Sequence, residues 1–281
     1  MTTRHFLIST WDWNPWVIAI CFTSIVIYGT RHQFHFTRKA GWLLAGLAVF
    51  FLTLVSPVDA LANGYLFSAH MLQHLLLLLV VPPLILLSLP STPVSVRFQS
   101  GRWQWLNWIW RHPVATWILG VGGMWLWHAP ALCNAAVTNE WIHRLQYASL
   151  LLMGFAFWWP ITGPWYSQRL SPLAGMIYLF SACLGCTVLG IIITFAPVEV
   201  CSIYLHPVDR LGILPIIQDQ WGLTPAKDQL LGGLLMWVPA CLIYFCGILG
   251  LFAHWHGDSG NSAVVPQSTS TKASKEQSHV R

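Results

Sequence analysis

Charge is what this sequence has least of. Only 8% of its 281 residues are Asp, Glu, Lys or Arg, against about 25% in an ordinary soluble domain. That scarcity excludes a soluble globular fold. It also leaves the net charge of +5 on too few residues to form the basic face of a nucleic-acid binder, so no nucleic-acid partner is expected. Phosphate-binding Gly loops, Ser-His-Asp signatures and internal or inverted repeats are missing too. The first fifteen residues hold one Arg and no small-residue cleavage site, so the first apolar segment is expected to be a retained span and not a removed signal. Cysteine is present, but not as a disulfide framework: five of the seven (Cys21, Cys183, Cys186, Cys241 and Cys246) sit in apolar segments. Only Cys133 and Cys201 fall in predicted loops, and thiols in apolar segments behave as small hydrophobes.

What is present is apolar surface. Hydrophobic residues make up 56% of the chain, 18 residues are Trp, and the mean hydropathy is +0.58. A membrane span needs about 20 mostly apolar residues. Seven segments qualify: 15–30, 40–56, 67–90, 113–128, 141–160, 173–195 and 228–253. The expected fold is therefore an all-α, polytopic membrane bundle, one domain over 1–255, with a polar, disordered tail over 256–281. With the N-terminus outside, ten cations fall inside: Arg31, Arg38, Lys39, Arg97, Arg102, Arg111, Arg169, Lys272, Lys275 and Arg281. Only Arg4, Arg144, Arg210 and Lys227 fall outside, so N-out, C-in is expected.

On that topology the polar residues gather at one depth. Ser68-Ala-His-Met-Leu-Gln-His74 puts His70 and His74 on one helix face, their Cβ atoms about 5–6 Å apart, at the outer start of span three. Met124 and His128 close span four, His143 opens span five, and Asp228 opens span seven, with Met236 about two turns deeper. Asp59 stands on the outer loop before span three. Ionisable groups in a span mark function, and imidazole with thioether favours copper, Cu(I) in particular. Neutral imidazoles are the ligands, so binding is expected to weaken as pH falls through about 6.5.

Other histidines and cysteines carry less. His32-Gln-Phe-His35 and His254-Trp-His256 lie at the cytoplasmic ends of spans, and His206 and Cys201 in the long outer loop. Cys183-Leu-Gly-Cys186 has a CxxC spacing, but it sits mid-span without a second pair and reads as packing beside Gly185. The histidine motif also lacks the Glu of a zinc-protease His-Glu-x-x-His, so metal-assisted hydrolysis is not expected.

Ser68-Ala-His-Met-Leu-Gln-His74 followed by Pro82-Pro83, Trp125-Leu-Trp-His-Ala-Pro130, Phe157-Trp-Trp-Pro160 with Gly163-Pro-Trp165, and Asp228 to Pro239 together resemble the CtaG family of cytochrome c oxidase assembly factors, those linked to caa(3)-type oxidases. The likeness runs from about Gly41-Trp42 to about His254. It implies a multi-pass protein of the bacterial inner membrane, not an enzyme, that helps mature a haem-copper oxidase through copper. By that resemblance His70, His74, His128 and His143 handle copper, with Asp59 and Asp228 as polar partners. The implied partners are oxidase subunits, a periplasmic copper chaperone and the bilayer. Three rival readings remain: a haem-binding electron carrier, a metal-free scaffold, and a copper permease. The last needs a ladder of ligands through the spans, which the sequence does not display.

Overall fold

The computed structural model describes residues 3–31, 37–90, 104–165, 168–196 and 200–262. His32 and His35, Arg97, Arg102, Glu199 and the tail from 263 onward lie outside the described residues. Every element among the described residues is helical. In chain order these are α1 (Thr3–Ser9), α2 (Pro15–Arg31), α3 (Arg38–Val55), α4 (Pro57–Ala62), α5 (Phe67–Ser88) and α6 (Gln104–Arg111). There follow α7 (Pro113–Trp127), α8 (Pro130–Thr138), α9 (Glu140–Thr162), α10 (Pro172–Phe195) and α11 (Pro225–Ser262).

Helices occupy all seven expected segments. Four of them (α3, α5, α10 and Pro225–Gly257 of α11) are long and apolar enough to cross a membrane. The apolar α2 and α7 are shorter, and α9 has 23 residues with Glu140, His143, Arg144 and Gln146 in its first two turns. The chain is a membrane protein, and large apolar side chains such as Phe22, Ile177, Phe180 and Leu242 face outward, as a hydrocarbon environment requires. One boundary differs from expectation: α11 runs through Ser262, past the His256 where composition predicts a tail. Extending a long helix adds one hydrogen bond per residue fixed, so a few polar residues continue it at little cost.

The bundle is built around α5. Within the four spanning helices 61% of its window is buried, against 33% for α3, 39% for α10 and 17% for α11. It packs against α3, α4, α9 and α11, while α10 and α11 run along each other. Two features let neighbours come that close. Pro82 and Pro83 supply no N–H, and the turn before them, Leu76–Val80, widens to a π-helical turn. Gly154 of α9 then meets the α5 backbone: a Cβ there would lie 2.6 Å from the Pro82 ring. Gly232 of α11 leaves room in the same way for the Phe67 ring and the Met71 side chain. The first turns of α5, α9 and α11 and the last turn of α7 thereby share one end of the bundle.

Candidate metal centre

The helix that carries the central histidines begins without a cap of its own, since Leu66 has no side-chain acceptor to offer. Asp228 of α11 fills that role. Its carboxylate accepts from the Phe67 N–H at 2.6 Å and the Ser68 N–H at 3.0 Å. A buried anion at a helix N-terminus satisfies orphan donors and complements the helix dipole. Asp228 thus fixes the height and rotation of α5 against α11, and with them the position of His70 and His74.

One turn on, Gln73 anchors the other side of α5. Its Nε2 donates to the Thr53 carbonyl at 2.9 Å and to Asp59 Oδ1 at 2.8 Å, while its Oε1 accepts from the Tyr147 hydroxyl at 2.6 Å. Tyr147 also approaches Asp59 Oδ1 at 3.1 Å, and Asn63 donates to Asp59 Oδ2 at 2.9 Å. Burial pushes the Asp59 carboxyl up from its ordinary range, and the donors Gln73, Tyr147 and Asn63 oppose that shift. Asp59 and Asp228 therefore engage amide, hydroxyl and backbone donors that place α5.

Between these anchors the four predicted histidines form a contiguous row. Ring centroids are 6.1 Å apart for His143 and His70, 4.3 Å for His70 and His74, and 5.2 Å for His74 and His128. His70 and His74 are buried completely, yet both nitrogens of each ring lack a hydrogen-bond partner, as does His143 Nε2. The Gln146 side chain of α9 interacts with the His74 ring, though none of its amide atoms meets hydrogen-bond geometry. Tyr204 closes the row from above, its ring centroid 6.0 Å from that of His70. An open cavity of about 400 Å³ between α2, α3 and α9 reaches His143, Asp59 and Tyr147, with Asp12 and Glu140 in its walls.

His128 is the most informative of the four. Its Nδ1 lies 2.6 Å from the Met124 carbonyl, which can only accept, so Nδ1 carries the proton. In the neutral ring this leaves the lone pair on Nε2, and Nε2 lies 3.1 Å from the thioether sulfur of Met71. Two lone-pair donors, one nitrogen and one sulfur, face each other with no proton between them. Pinning one imidazole nitrogen to a carbonyl so that the other is free is the usual way a metal-bound histidine is oriented. Met71 stands between His70 and His74 in the chain, three residues before the latter, a spacing that puts it on a shared face.

The donor chemistry fits a soft cation: unprotonated imidazole nitrogens, a thioether, and orphan polar atoms in a buried setting. Among the described residues, no group of three or more His, Cys, Asp or Glu side chains is arranged so as to hold a metal ion. The row thus offers donors one after another. Met124 contributes its carbonyl to His128, and Met236 packs in the apolar core that also holds Met71 and Met124.

One contact departs from the sequence reading. Cys133 of α8 and Cys201 form a disulfide across 68 residues, both 1% exposed. The count of seven conceals it, but these two are the cysteines that the span pattern leaves in loops. The bridge seats the turn Ser202–Tyr204, and so Tyr204, over the histidine row; Asn134 holds the same turn through the Ser202 hydroxyl and the Ile203 N–H.

A family model described as the cytochrome c oxidase caa3 assembly factor matches residues 20–258. An uncharacterized protein of Mycobacterium leprae is 28% identical over 244 residues, 81% of this chain and 35% of that protein. Uncharacterized proteins of Mycobacterium bovis and Mycobacterium tuberculosis are each 27% identical over 234 residues, 78% of this chain and 34% of theirs. The chain spans about a third of the length of these relatives. No solved structure matches it. The family match takes in both the histidine row and the helices that hold it: the chain belongs to the cytochrome c oxidase caa3 assembly factor family.

Proposed function

We propose that this assembly factor is non-catalytic, spans the bacterial inner membrane seven times with its N-terminus outside, and carries copper as cargo for the maturing copper centre of a haem-copper oxidase. The observation that carries the reading is His128: its Nδ1 is pinned to the Met124 carbonyl, and its Nε2 lone pair faces the Met71 sulfur at 3.1 Å. His70 and His74 add four ring nitrogens without partners in a fully buried setting. An unsatisfied buried polar atom costs about 1–3 kcal/mol. A protein holds several of them side by side where a ligand supplies the missing bonds.

His128 and Met71 would hold Cu(I), an ion suited to imidazole and thioether donors, and His74 and His70 would offer it the next donors along the row. His143 joins the open cavity to His70, so a cation entering past Asp12, Asp59 and Glu140 meets an imidazole first. The orientation is supported by the Cys133–Cys201 bridge at the histidine end, because disulfides persist on the oxidising side of a bacterial membrane. It is supported as well by the excess of Lys and Arg assigned to the opposite side.

Elemental analysis and an absorption spectrum of the purified full chain test this reading. Copper bound to wild type and lost from a His70→Leu, His74→Leu variant of equal abundance is expected, together with a fall in oxidase copper. Equal copper in both proteins overturns the reading, and a Soret band would replace it with haem binding.

A further inference from the structure

Sulfur gathers at a second place, away from the histidines. Cys183 and Cys186 stand about one turn apart on α10, and Cys241 stands on α11, which packs along α10. The Cys183 thiol donates to the Cys241 sulfur at 2.7 Å, and Thr187 Oγ1 is 3.3 Å from that same sulfur. Cys186, completely buried, has its sulfur 3.3 Å from the Tyr244 hydroxyl and 3.9 Å from the Met124 thioether. The second half that the CxxC spacing lacks in the sequence is supplied by the neighbouring helix.

Met124 joins this cluster to the first. Its carbonyl holds His128 and its sulfur meets Cys186. The soft donors thus fall in two pairs, Cys186 with Met124 and Cys183 with Cys241, with Cys183 and Cys186 about one turn apart on α10. The sequence does not display these pairs because their members come from three different helices.

Depth decides what such a cluster can hold. Cys183 is the twelfth of the 24 residues of α10, about 17 Å along its axis at 1.5 Å per residue, and so near the middle of the span. Net charge is expensive there. A monovalent cation that displaces one thiol proton leaves a neutral complex, with the second thiol as an uncharged donor and the proton passed to solvent base. A divalent ion on the same donors would stay charged. Thiolate selects Cu(I) among biological metals, and a monovalent coinage ion is content with two ligands, so the two facing thiols suffice.

We infer that Cys183 and Cys241 form a second binding site, for Cu(I), at mid-depth between α10 and α11, with Cys186 and Met124 as the soft donors leading towards it. The identity of the metal rests on the function proposed above; the donors do not.

The test uses the reduced full chain, loaded anaerobically with excess Cu(I) or, in parallel, with Ag(I) as its redox-inert probe, then desalted. Wild type is expected to retain one equivalent more of either ion than a Cys183→Ala, Cys241→Ala variant, and to show a near-ultraviolet thiolate-to-metal band that the variant lacks. The His70→Leu, His74→Leu variant keeps that band and that equivalent. In wild type, metal is also expected to slow modification of Cys183 and Cys241 by a small thiol reagent at least tenfold while Cys246, which is exposed, reacts as before; this arm needs no substitution. Unchanged stoichiometry and band in the cysteine variant, absence of protection, or a native Cys183–Cys241 disulfide found by mass spectrometry overturns the inference. If the cysteine variant loses its equivalent and the histidine variant loses none, this site stands and the histidine reading falls.

Discussion

Gln73 and His74 are neighbours on α5, equally buried, and opposite in how their polar atoms are served. Gln73 makes three hydrogen bonds, to Thr53, Asp59 and Tyr147. His74 makes none with either ring nitrogen, and His70, one turn away, is the same. Both residue types carry a donor and an acceptor that cost free energy when buried alone. The bundle evidently can satisfy such groups at this depth, because it does so next door. The difference separates two sets of groups on one helix: Gln73 with Asp59 and Asp228 positions α5, and the histidine nitrogens are those assigned to the cation in the function proposed above.

Substitutions break the comparison in a graded order. Breaking the Cys133–Cys201 bridge with serine gives the largest loss: a 68-residue separation corresponds to about 4 kcal/mol in the chain-entropy account, read as a lower unfolding midpoint and as release of Tyr204 from above His70. Gln73→Leu comes next. It keeps the volume but strands the Asp59 carboxyl and the Tyr147 hydroxyl, and is expected to cost about 2–3 kcal/mol by denaturant titration in detergent. Asp228→Asn retains an acceptor for one N–H and loses the charge at the start of α5, so about 1 kcal/mol is expected. His74→Leu is the smallest and sharpens the contrast most. It removes two unpartnered nitrogens and replaces them with apolar surface, so stability is expected to stay equal or rise slightly. If His74→Leu destabilises as much as Gln73→Leu, the histidine is structural and the division of labour is wrong.

Much of this architecture is legible in the sequence alone. Hydropathy locates the four helices long and apolar enough to span a membrane and the shorter apolar α2 and α7, because apolar length is a local property of the chain. The i,i+4 spacing of His70 and His74, with His128 and His143 at helix ends of matching depth, brings the four histidines to the right end. What the sequence withholds depends on which helices are neighbours and how each is rotated. Asp228 reads as a ligand, and only the contact of α11 with α5 shows it as the cap of a helix 160 residues earlier in the chain. Met71 escapes notice because a Met in an apolar run reads as packing until His128 is seen against it. Gln73 carries no signal either, since one amide in a greasy helix makes no pattern. The Cys183–Cys186 spacing looks incomplete because its partner stands on α11.

The central claim is that the row from His70 to His128 is open because it receives a metal, and copper stoichiometry tests it most directly. Copper per protein is measured by elemental analysis for wild type, His70→Leu/His74→Leu and Gln73→Leu, each purified at equal folded amount. Copper is expected in wild type, with retention in whatever fraction of Gln73→Leu folds and loss of the histidine-bound equivalent in the double variant. Copper unchanged by removal of both histidines would contradict the claim.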